Sequence, residues 1–175
     1  LFIALAIPSV VRDQVAAASS GLIHAKWVDR NNLHLTIRFI GEVEENLAED
    51  LHETLSTLTF QPFTLRLKGI DCFRSKKKVR TIWAAVPASG RLNALQKKVD
   101  RRLVLTGLPA ETRKFKPHVT MARVSASPLN AIVPYLETHA DFETEEFQVD
   151  QVFMFQSHLG RKNSHYEILQ SYGSL

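Results

Sequence analysis

The sequence predicts an α+β fold: bilobal, with two pseudo-repeated lobes of mostly antiparallel sheet, flanked by helices and meeting at a cleft. Three observations carry this. A strand, a proline, a helix and a second strand follow one another in residues 1–40 and again in 81–124. In each half a further helix and an alternating strand come next, and His34 stands as far from His118 in the chain as Phe63 does from Phe147. Apolar residues make up 45% of the 175, enough for one well-packed core in a chain too short for two ordinary domains. Residues 1–175 are therefore read as a single bilobal domain with pseudo-repeats at about 1–80 and 81–175.

Residues 1–7 are apolar throughout and end at Pro8, which makes a buried strand; the run is far too short to span a membrane and shows no charged leader. Residues 9–20 carry Val10, Val11, Val15 and Ala18 at helical spacing, and Gly21 stops the helix. A short strand at 26–28 and a turn at 29–32 precede the strand 33–40, closed by Gly41. Residues 44–58 form a helix with Leu47, Leu51, Leu55 and Leu58 on one face and acidic residues early, where the helix dipole favours them. Gln61-Pro62 breaks the chain. Phe63, Leu65 and Leu67 alternate with Thr64, Arg66 and Lys68 as a half-exposed strand, and 69–73 continue it as strand or bulge up to a basic turn. An apolar strand at 81–86 and a helix at 91–105, with Leu92, Leu95, Val99 and Leu103 inward, end at Gly107 and Pro109. After the strand 115–124, a short helix at 129–138 is weakened by Pro134, and strands follow at about 145–149, 151–157 and 165–171.

Charge is uneven within a modest net +4. Arg74, Lys76, Lys77, Lys78 and Arg80 crowd one turn, and Arg113, Lys114 and Lys116 lead into the second histidine motif, while Glu42, Glu44, Glu45, Glu49 and Asp50 gather elsewhere. That asymmetry predicts a basic surface suited to a polyanion such as nucleic acid, although a solvated loop accounts equally well for the 74–80 cluster alone. Cys72 is the only cysteine. An internal disulfide is excluded, a reducing compartment such as the cytoplasm fits, and the thiol reads as a bystander because no histidine neighbours it in sequence.

The chemistry sits in two short runs, Leu33-His34-Leu35-Thr36-Ile37-Arg38-Phe39 and Pro117-His118-Val119-Thr120-Met121-Ala122-Arg123. Side chains two apart in a strand share a face, so each run presents an imidazole beside a hydroxyl. Two imidazoles suit an in-line displacement at phosphorus: one takes the proton of the attacking oxygen and the other gives one to the leaving oxygen. The hydroxyls of Thr36 and Thr120 can donate to the non-bridging oxygens, and no metal or cofactor is required. One His-x-Thr alone is weak evidence; two in matching apolar runs are specific. By parity Arg38 shares the face of His34 and Thr36, which makes it a candidate phosphate or base contact, with an exposed structural arginine as the equal reading. Phe2 and Phe39 are assigned to the core in preference to base-stacking platforms, and His24, His52, His139, His158 and His165 to packing or surface.

Together with the opening Leu1-Phe2-Ile3-Ala4-Leu5-Ala6-Ile7-Pro8 and the flanks Asn32, Ile40-Gly41-Glu42, Phe115-Lys116 and Val124, these motifs resemble the RNA 2′,3′-cyclic phosphodiesterases. These are also called 2′-5′ RNA ligases, within the two-histidine phosphoesterase superfamily. The resemblance implies a bilobal fold, metal-free opening of a terminal 2′,3′-cyclic phosphate to a 2′-phosphate and, in some members, a weak reverse ligation that makes a 2′-5′ linkage. It places His34, Thr36, His118 and Thr120 on the family's two motifs, with His118 as base and His34 as acid. Arg123 falls where the family commonly carries a basic residue near the substrate, yet it has the opposite parity to His118 and Thr120, so a bulge or the strand end would have to turn it in. The implied partner is an RNA with a 2′,3′-cyclic phosphate end, tRNA halves included, or a small cyclic nucleotide, handled by a cytoplasmic monomer without metal, cofactor or membrane. The rival from another class is a non-catalytic RNA-binding module, favoured by the basic clusters and disfavoured by the lack of an aromatic-rich binding motif. A metal-dependent phosphoesterase is disfavoured because neither motif sits in a cluster of histidines and carboxylates.

Overall fold

The computed structural model describes residues 1–75, 78–160 and 164–173. Lys76 and Lys77 of the expected basic turn lie outside them. The strands are β1 (Phe2–Ala6), β2 (Ala25–Trp27), β3 (His34–Phe39), β4 (Phe63–Leu65), β5 (Ile70–Ser75), β6 (Lys78–Ala85), β7 (His118–Pro128), β8 (Phe147–Val149), β9 (Gln151–Leu159) and β10 (Ser164–Gly173). The helices are α1 (Ser9–Ala17), α2 (Glu45–Ser56), α3 (Gly90–Leu105) and α4 (Val133–Thr138). The expected helix at 129–138 divides into a 3-10 turn at Leu129–Ala131 and α4, whose first turn holds Pro134, where a missing N–H costs nothing.

An eight-stranded sheet runs in the order β10-β9-β1-β3-β7-β6-β5, with β2 also paired to β7, and β4 and β8 form a separate pair. Every pairing is antiparallel, so the fold is α+β as the alternating runs predicted. One face of the large sheet buries Ile3, Leu5, Leu35, Ile37, Ile82, Ala84 and Val119 against Val11 and Val15 of α1, Leu51 and Leu55 of α2, and Leu92, Leu95, Val99 and Leu103 of α3. Each such leucine contributes about 1.5–3 kcal/mol of burial. Helix α3 is held at its start by Ser89, whose Oγ accepts the Leu92 N–H at 3.2 Å, and at its end by Gly107 at φ +95°.

The sequence repeats are not the halves of the sheet. Strands β9-β1-β3 on one side mirror β5-β6-β7 on the other, but β5 belongs to the first repeat and β9 to the second. The cause is connection length: β5 is followed at once by β6 and pairs with it from Ile70↔Ala84 to Ser75↔Lys78, rather than crossing back to its own repeat. The two sides meet at β3 and β7, where Leu35 pairs with Val119. That pair buries its side chains toward the helices and brings both histidine motifs to the middle of the opposite face.

Candidate active site

In an antiparallel ladder the residues flanking a pair also face each other, so the Leu35↔Val119 register sets His34 beside Thr120 and Thr36 beside His118. All four stand on the face away from the helices and are half-buried. The four residues expected to act together are therefore gathered in one patch.

Each imidazole is tethered in the same way. His34 Nδ1 lies 2.7 Å from the Asn32 carbonyl and His118 Nδ1 lies 2.7 Å from the Lys116 carbonyl. A carbonyl can only accept, so Nδ1 donates its proton in both, and Nε2, which has no hydrogen-bond partner among the described residues, is left to act as a base when neutral or as an acid when the ring is protonated. The hydroxyls of Thr36 and Thr120 make no hydrogen bond to any described residue and are free for a ligand.

Both rings lie on aromatic beds. His34 packs 4.9 Å from Phe2 and edge-on 5.1 Å from Tyr166. His118 packs edge-on 4.9 Å from Phe73 and 5.7 Å from Trp83, and the Lys116 ammonium caps these two rings at 5.1 and 4.4 Å from their centroids. Burial away from water pushes both imidazoles below their ordinary value of 6.5. The charge of His118 adds to this at His34, and the Lys116 ammonium adds to it at His118, against the opposing pull of the carbonyl bonds. None of these aromatic neighbours is signalled by sequence spacing, because each reaches the site from a separate strand.

Two bulges decide what else faces the site. On β3 the register against β1 jumps from Ala4↔Thr36 to Ile3↔Arg38, leaving Ile37 as the extra residue. Arg38 thereby joins the face of Ile3, toward the helices, and Phe39, opposite Phe2, takes the site face. The parity argument for Arg38 is overturned here. Its Nε donates to Asp100 at 2.8 Å, Nη1 to Glu111 at 3.3 Å, and Nη2 to the Pro109 carbonyl at 2.5 Å. Its side chain is only 10% exposed. The hydrogen bonds of Arg113 to Glu111 come first in holding the Glu111 carboxyl down to about 2, with the charges of Arg113 and Arg38 assisting. Phe39, assigned to the core from sequence, is 59% exposed instead.

On β7 the register against β6 jumps from Trp83↔Thr120 to Ile82↔Ala122, leaving Met121 extra, and Arg123 comes opposite Thr81. Trp83 and Thr81 lie on one face of β6, so Arg123 rejoins the face of His118 and Thr120, by the bulge that its parity demanded. It is exposed. Among the described residues, no three histidine, cysteine or carboxylate side chains group as a metal cage, and no helix is long and apolar enough to cross a membrane. His52, His139 and His158 bond Tyr172, the Tyr135 carbonyl and Glu167, respectively, away from the paired motifs.

The sequence matches the family model of the 2′-5′ RNA ligase superfamily over residues 7–161. A protein of Aeropyrum pernix named RNA 2′,3′-cyclic phosphodiesterase is 34% identical over 161 residues, covering 91% of this chain and 90% of its own. One of Methanocaldococcus jannaschii with the same name is 29% identical, covering 98% and 99%. Among solved structures, one described as a phosphoesterase superposes with a TM-score of 0.80 at 21% identity, covering 98% and 95% of the two chains. Escherichia coli LigT complexed with 3′-AMP superposes at 0.77 with 23% identity and the same coverage. These two establish likeness of fold.

Proposed function

The chain belongs to the 2′-5′ RNA ligase superfamily, and on that premise we propose that it hydrolyses the 2′,3′-cyclic phosphate at an RNA end to a 2′-phosphate without a metal. The observation that carries this reading is the pair of imidazoles tethered alike at Nδ1, with Nε2 of each free, beside two unengaged threonine hydroxyls.

The phosphate lies between the motifs. His118, neutral, takes a proton from water as the water oxygen bonds to phosphorus. The bond from phosphorus to the 3′ oxygen breaks, and that oxygen leaves with a proton from His34. Thr36 and Thr120 donate to the non-bridging oxygens, and Arg123 adds positive charge on the same face. A 5′-hydroxyl in place of the water would give a 2′-5′ linkage by the same steps.

Release of a 2′-phosphate end from such an RNA, undiminished in excess chelator, is the expected result. Binding without turnover would support the RNA-binding module instead, and loss of turnover to chelator would support a metal-dependent enzyme.

The lowered histidines also fix the pH dependence. In the free enzyme one imidazole must be neutral and the other charged, and both lose their protons below 6.5. The bell of kcat/KM should therefore peak on the acid side of 6.5, its limbs marking the two protonation steps of the histidine pair. Bound phosphate, being anionic, favours charged imidazoles, so the kcat profile should move to higher pH. Profiles of kcat and kcat/KM that coincide above neutrality would contradict this account.

A further inference from the structure

Beside His34, at the end of β3 away from Phe39, lies a hollow of about 80 Å³ lined by Arg12, Asn31, Asn32, Phe155 and Tyr166 as well as His34 itself. It is well under the roughly 300 Å³ at which pockets for drug-sized molecules begin, so it has room for a small oxyanion and not for a nucleoside. Its cation is the unusual element. Arg12 is half-buried on α1, its Nε is shut off from water and has no hydrogen-bond partner, and it forms no ion pair with a described carboxylate. The nearby Asp13 is taken by Arg30. Arg38, Arg66 and Arg113 are each matched to acidic side chains, and Arg102, whose Nε is likewise shut off without a partner, still donates Nη2 to the Thr57 carbonyl, whereas no described residue bonds the Arg12 side chain. The charge of Asp13 reaches Arg12 only through space, and a partly desolvated guanidinium with no ion pair of its own costs stability and suits a place where an anion arrives from outside.

The chemistry of the substrate says which anion. In an RNA that ends in a 2′,3′-cyclic phosphate, the reacting nucleotide carries one other phosphate, the 5′-phosphodiester that joins it to the rest of the chain. With the cyclic phosphate between His34 and His118, that group is one ribose away. The nucleoside must lie on the side of the acid, because the 3′ oxygen that leaves belongs to it.

We propose that the hollow beside His34 is a subsite for the 5′-phosphodiester of the terminal nucleotide, with Arg12 as its cation. The site thereby selects polymer ends over free nucleoside cyclic phosphates. The subsite rests on the phosphodiesterase reading and names the substrate class of that same site. Asn31 and Asn32 add neutral amides at the rim, and Asn32 is anchored by donating to the Ser164 carbonyl at 2.7 Å.

The test compares adenosine 2′,3′-cyclic phosphate bearing a 5′-hydroxyl, a 5′-phosphate or the methyl ester of a 5′-phosphate. The methyl diester should raise kcat/KM over the 5′-hydroxyl compound by about ten- to a hundredfold, the range of one charge-assisted hydrogen bond, and mostly through KM. Arg12→Gln should bring the two within about twofold of each other, and Arg12→Lys should keep part of the difference. High salt should erode the gain in the unmodified protein, which reads the same contact even if a variant folds poorly. A wild-type enzyme indifferent to the 5′ group, a gain with the monoester alone, or a preference that survives in Arg12→Gln would each overturn the subsite. Failure to turn over any of the three would sink the phosphodiesterase reading instead. Calorimetric comparison of adenosine 2′-phosphate with adenosine 2′,5′-bisphosphate would then still report on Arg12.

Discussion

His34→Ala and His118→Ala each lower turnover of an RNA 2′,3′-cyclic phosphate by about 10² to 10⁴, the contribution of one positioned general acid or base. Both variants should fold, since each ring is half-buried at the open face rather than in the helix-covered core. The roles separate with a substrate whose 3′ leaving oxygen is replaced by sulfur. A thiolate departs without a proton, so this substrate should restore His34→Ala and leave His118→Ala slow. Restoration of His118→Ala alone would reverse the two assignments. Near-normal turnover of the natural ester by either folded variant would remove that residue from the chemistry.

Arg38→Ala should act on stability before it acts on substrate. Its pair with Asp100, with side chains 10% and 19% exposed, is nearly buried. Removing one partner of such a pair and leaving the other costs about 3 kcal/mol, or roughly 6–12 °C in melting temperature for a chain of this size. The same guanidinium holds the Pro109 carbonyl and Glu111, in the segment that leads to His118. Loosening that segment should lower kcat while KM stays within about threefold. Arg38→Lys, a point charge in place of a planar fork, should recover only part of either loss. A melting temperature equal to wild type together with a raised KM would return Arg38 to the role of substrate contact that its parity first suggested.

The contrast between Arg38 and Arg123 shows how far the sequence carries. Period-two alternation placed His34, Thr36, His118 and Thr120 because each pair is only two residues apart, inside one uninterrupted stretch of pleat. Beyond the threonine, each motif strand carries one extra residue, Ile37 or Met121, and every side chain after it changes face. Nothing local marks these positions, since a bulge is a relation between two strands and the partner lies far away in the chain. Helices α2 and α3 were legible from their leucine spacing, α1 from its valines, and α3 from its Gly107 stop as well. The exchange of β5 and β9 between the sides was not, because sequence repeats report local order and not which neighbour a strand chooses. Arg12 drew no notice from sequence for a similar reason: lacking an ion pair is a property of its surroundings.

Interleaved strands make the chain behave as two interlocked polypeptides that share a backbone. A protein cut at residues 76 and 77 would leave an upstream piece whose last strand, β5, had lost its partner β6, and whose first strand, β1, lacked β9. The downstream piece would keep β9 and β10 with no β1 to lie against. Each fragment alone would present bare strand edges and only one of the two motif histidines, His34 or His118, and only their reassociation would bring that pair together.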